Sequence, residues 1–244
     1  MLYVFVATPL YTPGALYQYM PRNASREEWK TYANVFDSFT EKVLIKLQGQ
    51  GHYDEMLGLV ALGKEANVFV CSKGDEFVAV KIYRTMNCNF NKMHEYLIHD
   101  ERYMDIKNNK RKVIMSWVQR EFTNLLIARE KIHVPTPYAV VNNVLVMQFI
   151  GEGRQSAPML KDCPAKDPQA FYEKVRANMV GLREAGLVHG DLSAFNILNY
   201  DEEPLFIDFS QSTTIKSPNS EELYRRDVEN VNTFFEKFKV KTRL

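Results

Sequence analysis

Cysteine is scarce in this chain of 244 residues. Its three cysteines, Cys71, Cys88 and Cys163, are odd in number, widely spaced and free of any C-x-x-C pair. That excludes a disulfide framework and a cysteine zinc site, and points to a reducing cytoplasm. An excess of either charge is missing too: 31 Lys and Arg against 30 Asp and Glu give a net charge of +1. No global field therefore draws the chain to nucleic acid or to a membrane, although local basic surface remains open. No apolar run reaches the roughly 20 residues of a membrane helix. Residues 1–10 are apolar but carry no basic leader, so they read as an early strand or a docked segment rather than a signal peptide. Internal repeats and low-complexity tracts are absent. What is present is 45% apolar residues, enough to build one large domain or two small ones.

The first half reads as a helix followed by strands. Ser25-Arg26-Glu27-Glu28 is a capping box. Behind it Trp29, Tyr32, Phe36, Phe39, Val43 and Leu47 recur at helical spacing, which predicts an amphipathic helix of about 20 residues ending near Gly49. Residues 57–62, 67–71 and 77–83 read as strands, the last two joined by a turn at 72–75. Between the first two lies Gly63-Lys64-Glu65-Ala66-Asn67. Two phosphate-loop signatures fail there. Gly58-x₄-Gly63-Lys64 mimics a Walker A loop, but Glu65 stands where a Ser or Thr must ligate Mg²⁺. A kinase glycine loop wants glycine at 61, 63 and 66, and only Gly63 is present. The segment is a strand-turn-strand that could cover phosphates with Gly63 and the charge of Lys64, or a plain hairpin.

Lys81 lies inside the apolar run Val78-Ala79-Val80-Lys81, where a lysine is costly unless paired or bound to phosphate. Residues 84–112 are polar and weakly periodic, and are expected to form a long mobile insertion. His94 and His99 are five apart, so they do not share a helical face as zinc ligands would. Residues 113–129 read as a helix in which Glu121 falls within the apolar stripe of Trp117 and Leu125. An inward carboxylate needs a cation, and Lys81 is the candidate; a surface Glu at the edge of the stripe is the bland alternative. A hairpin turning at Asn142-Asn143 leads through Met147, Gln148, Phe149 and Ile150 to Gly151, and a polar link follows. Asp167-Pro168 then caps a helix that Gly186 closes, and residues 220–238 form the final helix.

The chemistry concentrates in His189-Gly190-Asp191-Leu192-Ser193-Ala194-Phe195-Asn196 and Ile207-Asp208-Phe209. An Asp and an Asn five apart, followed by a second Asp behind a short apolar run, is a phosphotransferase arrangement. The first Asp orients the attacking hydroxyl or water, and the Asn and second Asp hold Mg²⁺. No A-P-E motif follows. The sequence thus carries nucleotide machinery without an obvious peptide platform.

Together, Gly63-Lys64-Glu65-Ala66-Asn67-Val68, Val80-Lys81-Ile82-Tyr83-Arg84, His189-Gly190-Asp191-Leu192-Ser193 with Asn196, and Ile207-Asp208-Phe209-Ser210-Gln211-Ser212 resemble the RIO family of atypical serine/threonine protein kinases. The likeness runs from about residue 35 to 238. The G-K-E-A-N box and the S-Q-S resemble the type-one branch, and the lean chain resembles an archaeal member. The resemblance implies an α+β, two-lobed kinase-like fold. Residues 1–53 would pack on a β-rich N-lobe spanning 54–147, with its mobile insertion at 84–112. A hinge at 148–151 would lead to a reduced helical C-lobe at 152–244.

It also implies roles. Gly63 and Lys64 would cover the phosphates, Lys81 would contact them, and Glu121 would position Lys81. Met147, Gln148 and Ile150 would hold adenine through backbone groups. Asp191 would be the catalytic Asp, Asn196 and Asp208 the metal ligands, and Asp208 also a possible phosphoryl acceptor. The cofactors would be ATP with Mg²⁺, or Mn²⁺ in its place. The partner would be the small ribosomal subunit precursor, its rRNA and proteins. The acceptor would be a serine, the enzyme itself or water. The sequence departs from the family pattern in places. Ala61-Leu62 replace two hydroxyl residues, Gln148 replaces a Glu, and residue 209 is a Phe. The 84–112 segment offers Thr85 but no serine for self-phosphorylation. Two other readings use the same central motif: a small-molecule phosphotransferase of the aminoglycoside or choline kinase type, and an assembly factor that binds ATP without turnover.

Overall fold

A computed structural model of the chain describes residues 36–86, 88–106 and 109–242. Helix α1 (Ser38–Gly49) is followed by strands β1 (Glu55–Leu62), β2 (Ala66–Lys73) and β3 (Glu76–Tyr83). Helices α2 (Phe90–Ile98) and α3 (Lys110–Ala128) come next, then β4 (Pro137–Val141) and β5 (Val144–Gln148). The five strands form one antiparallel sheet in the order β1-β2-β3-β5-β4. Alternation in β3 decides what lies on each face. Val78, Val80 and Ile82 point to one side, where they pack with Phe69 and with Val43, Leu44 and Leu47 of α1. Lys81 and Tyr83 must then point to the other side, as period two requires. There Tyr83 joins Leu145, Met93 and Leu97 of α2, and Val113, Trp117 and Val118 of α3.

Two expectations are corrected here. Helix α1 does not run through from Trp29. Asp37 has extended backbone (φ −84°, ψ 164°), and its side chain accepts from the Thr40 amide at 2.7 Å, so Asp37 is the N-cap. A residue held as an N-cap cannot also continue a preceding helix. The capping box at 25–28, with Trp29 and Tyr32, lies outside the described residues. The 84–112 segment, expected to lack caps and regular structure, contains α2. Asn89 caps that helix by accepting from the Lys92 amide at 3.1 Å, and Met93 and Leu97, one turn apart, are buried.

After β5 the chain makes a small hairpin, β6 (Gly151–Glu152) with β7 (Gln155–Ser156), at the start of the polar link. Gly151 is required by space, because a Cβ there would stand 2.1 Å from the Gln155 carbonyl oxygen. Helix α4 (Pro168–Glu184) starts on Asp167, which accepts from the Ala170 amide at 3.0 Å. Four short strands follow: β8 (Leu187–Val188), β9 (Ile197–Tyr200), β10 (Glu203–Phe206) and β11 (Thr213–Thr214). β9 pairs with β10 and β8 with β11. Helix α5 (Ser220–Glu236) closes the fold by setting Phe235 against Phe171 and Tyr172 of α4. Among the described residues no helix is long and apolar enough to cross a membrane.

Candidate active site

Lys81 is the pivot. Its Nζ lies 2.7 Å from Glu121 Oε1 and 3.0 Å from Asp208 Oδ1, joining the sheet, α3 and the segment after β10. The Tyr83 hydroxyl donates to Glu121 Oε2, so both carboxylate oxygens of Glu121 are satisfied. Burial alone would strip the proton from Lys81, but Asp208 and Glu121 outweigh it and hold the ammonium charged well above the usual lysine range. Burial pushes Glu121 up, against the pull of Lys81. Burial also works against the Asp208 carboxylate, but Lys81 and the Ser210 hydroxyl, at 2.8 Å, keep it below the ordinary value. Asp208 sits at φ +63°, a conformation costly for a residue with a Cβ and concentrated at functional positions.

Asp191 and Asn196 come from the loop between β8 and β9. The Asn196 Nδ2 donates to the Asp191 carbonyl at 2.8 Å and reaches its Oδ2 at 3.3 Å. Gln211 Nε2 donates to the same Oδ2 at 3.1 Å. Burial raises Asp191, and the negative charge of Asp208 adds to that rise. The loop needs glycine at 190: φ is +78°, and a Cβ would sit 3.0 Å from the Gln211 carbonyl oxygen. Leu192, Ala194 and Ile197 anchor the loop in the core.

Helix α5 holds this loop from behind, a role not read from the sequence. Asp227 accepts from the Gly190 amide at 2.7 Å and from the Leu192 amide at 2.8 Å. Arg226 donates to the Gly190 carbonyl, and Asn230 donates to that of Leu192 at 3.1 Å. Burial pushes the Asp227 carboxyl up to about 7, against the two amide donors. Its signal was available, because Asp227 stands in the stripe Leu223, Asp227, Val231, Phe235, each four residues from the next. His189 is buried and held neutral, pushed down to about 4 by that burial, with Nε2 3.0 Å from the Ile207 carbonyl.

The β1–β2 turn lies over this cluster. The Gly63 amide donates to the Ala66 carbonyl at 2.9 Å, and a Cβ on Gly63 would stand 2.6 Å from that oxygen. Lys64 is exposed at the tip. Glu65 is half-buried and raised first by burial and then by the charge of Asp208, so it faces the site. At the other edge the Gln148 amide donates to Thr136 and the Ile150 carbonyl accepts from Ala157. Those two backbone groups are taken. The Ile150 amide makes no hydrogen bond among the described residues, which narrows the adenine contacts expected of this stretch. Met147 lies in β5 opposite Ala79 of β3.

The donors fit a hard divalent cation. Lys81, Glu121 and Asp208 sum to one net negative charge, with Lys81 and Glu121 buried and the Asp208 side chain 42% exposed. Asp208 Oδ2 and the Asn196 amide oxygen make no hydrogen bond among the described residues. Magnesium prefers such oxygen ligands. Among the described residues no three His, Cys, Asp or Glu side chains cluster as a metal site. His94 and His99 each face a backbone carbonyl instead.

Comparison with known proteins agrees with this arrangement. A family model described as the RIO domain matches residues 67–244. A RIO-type serine/threonine-protein kinase Rio1 from Haloferax volcanii is 42% identical over 89% of this chain and 76% of its own length. The Rio1 of Methanocaldococcus jannaschii is also 42% identical, over 88% of this chain and 74% of its own. The crystal structure of a Rio2 kinase–ADP/Mg²⁺–phosphoaspartate complex from Chaetomium thermophilum shares the fold. Its TM-score is 0.65 at 24% identity, covering 82% of this chain and 61% of that one. The five-stranded sheet and the helical half are therefore the two lobes of a protein-kinase-like fold, and the chain belongs to the RIO family of serine/threonine protein kinases.

Proposed function

We propose that this kinase binds ATP with Mg²⁺ between the sheet and the β8–β9 loop, and transfers the γ-phosphoryl group to a serine, to itself or to water. The observation that carries this reading is Lys81 bridging Glu121 and Asp208, with Asp191 and Asn196 on the neighbouring loop. Lys81 would neutralise the phosphates, with Glu121 fixing its direction and Tyr83 fixing Glu121. Gly63 and Lys64 would cover the phosphates, and the hinge at Met147, Gln148 and Ile150 would hold adenine, with the Ile150 amide as donor. Asn196 and Asp208 would hold Mg²⁺, which when bound neutralises charge on the transferring phosphoryl group. Asp191 is locked through Oδ2 by Asn196 and Gln211, which leaves Oδ1 to take the proton of an attacking hydroxyl or water.

The Chaetomium Rio2 structure is a phosphoaspartate complex. On that likeness we place a transient aspartyl-phosphate on Asp208. A carboxylate oxygen bonds to phosphorus as the bond to ADP breaks. Water then attacks the phosphorus, gives its proton to Asp191, and releases phosphate. The cellular role we propose is maturation of the small ribosomal subunit. The test measures ATP turnover with and without purified small-subunit precursors, beside a panel of small hydroxylic acceptors. Turnover stimulated by precursors supports the reading; turnover driven only by a small acceptor replaces it with a small-molecule phosphotransferase.

A further inference from the structure

The 84–106 region has no place in the chemistry above, yet it contributes a fully buried carboxylate. Asp100, just after α2, is 0% exposed. It accepts from Arg102 Nε at 2.9 Å and from an Arg102 terminal nitrogen at 2.6 Å. It also pairs with Arg120 of α3 at 3.1 Å. Arg120 is itself fully buried. Two guanidinium groups thus share one carboxylate, and among the described residues neither arginine pairs with a second acid.

The far side of this cluster reaches the segment after Asp208. Arg102 donates to Asn124 Oδ1 at 2.8 Å, which turns the Asn124 Nδ2 toward two carbonyls: Phe209 at 3.0 Å and Ser212 at 2.8 Å. Arg120 reaches the Gln211 carbonyl at 3.5 Å. The gripped residues directly follow the strained Asp208 and include Gln211, whose side chain holds Asp191. An amide that donates two hydrogen bonds must keep its plane, and Arg102 on its oxygen fixes which way that plane faces.

We propose that Asp100 is a positioning residue for phosphotransfer. Through Arg102 it sets Asn124, and Asn124 together with Arg120 holds residues 209–212 so that Asp208 and Gln211 keep their places. The geometry makes the seating of the segment after α2 and the metal-binding geometry of Asp208 one event. The inference rests on the proposed use of Mg²⁺ at Asp208.

The test uses the whole chain and two readouts. One is ATP affinity by calorimetry with Mg²⁺ and with EDTA; the other is amide exchange at residues 209–212. Asn124→Asp keeps the acceptor for Arg102 but removes the donor to both carbonyls. It is expected to lower the Mg²⁺ enhancement of ATP affinity at least tenfold, to leave metal-free ATP affinity within about twofold, and to speed exchange at 209–212. Asp100→Asn is expected to do the same from a distance, and the double variant to be no worse than either single one. Should Asp100→Asn not fold, Arg102→Gln, at a partly exposed position, takes its place. Folded variants that keep the wild-type Mg²⁺ enhancement and exchange rates overturn the inference. A wild-type chain that shows no Mg²⁺ enhancement overturns the proposed function instead, while the exchange readout still judges the coupling.

Discussion

Lys81 and Glu121 carry the plainest residue-level expectation. Each is buried, and each is the other's direct partner at 2.7 Å. Glu121→Gln leaves Asp208 as the carboxylate facing Lys81, so the ammonium swings toward Asp208, and phosphotransfer is expected to fall more than tenfold. Lys81→Met removes the same contact, so a double-mutant cycle on turnover should be strongly non-additive; additive losses would show two independent roles. Asp227 gives a pH expectation. Its carboxyl is held at about 7 in the fold against about 3.9 in an unfolded chain. The folded state therefore binds the extra proton between those values, and its contribution to stability is full below the lower one and lost as pH rises through 7. Urea midpoints at pH 5 and pH 8 should differ more for the wild type than for Asp227→Asn. An unchanged difference would mean that the two amide donors keep Asp227 ionised. Glu121 and Asp227 show how far residues can be read from sequence. Each is an acid in an apolar helical stripe, and that pattern shows burial. It does not show the partner: Glu121 could be matched to a lysine already suspected, whereas Asp227 binds backbone amides, which have no sequence signature.

At the scale of elements, the strands of the five-stranded sheet and the Asp167 cap were legible, and the short polar helix and the caps at Asp37 and Asn89 were not. β2 and β3 announce themselves by alternation and by the Gly74 turn, and α4 by Asp167-Pro168. Helix α2 was hidden because Asn91, Lys92, His94 and Glu95 dilute its nine residues. Its apolar stripe, buried Met93 and Leu97 with half-buried Phe90, is only three side chains long. The Arg102–Asp100–Arg120 cluster is a tertiary arrangement that no window of sequence contains. Leu97 tests whether α2 is part of the core. It is 0% exposed, and Leu97→Ala is expected to cost roughly 2–5 kcal/mol, the usual range for a buried leucine. A loss below about 0.5 kcal/mol in urea unfolding, the level of a surface change, would mean that α2 is held loosely.

The whole molecule brings its reactive groups together from distant parts of the chain. Lys81 comes from the sheet, Glu121 from α3, Asp191 and Asn196 from the β8–β9 loop, and Asp208 from the segment after β10. A ligand touching all of them ties the two lobes together, so its binding free energy appears as stability. At a free concentration 100 times the dissociation constant, that gain is about 2.7 kcal/mol. The two aspartates should divide this effect. On the proposed roles Asp191 would handle the nucleophile, so Asp191→Ala is expected to abolish turnover while keeping nearly the full stabilisation by ATP with Mg²⁺. Asp208 is Lys81's second partner and would be the cation ligand, so Asp208→Ala is expected to lose most of the Mg²⁺-dependent part of that stabilisation. It should also lose any acid-stable, hydroxylamine-labile phosphoenzyme. Unfolding midpoints of both variants with ATP, with and without Mg²⁺, separate the roles. The assignment fails if Asp191→Ala is the variant that loses Mg²⁺-dependent stabilisation, because its side chain would then be holding the metal rather than the acceptor.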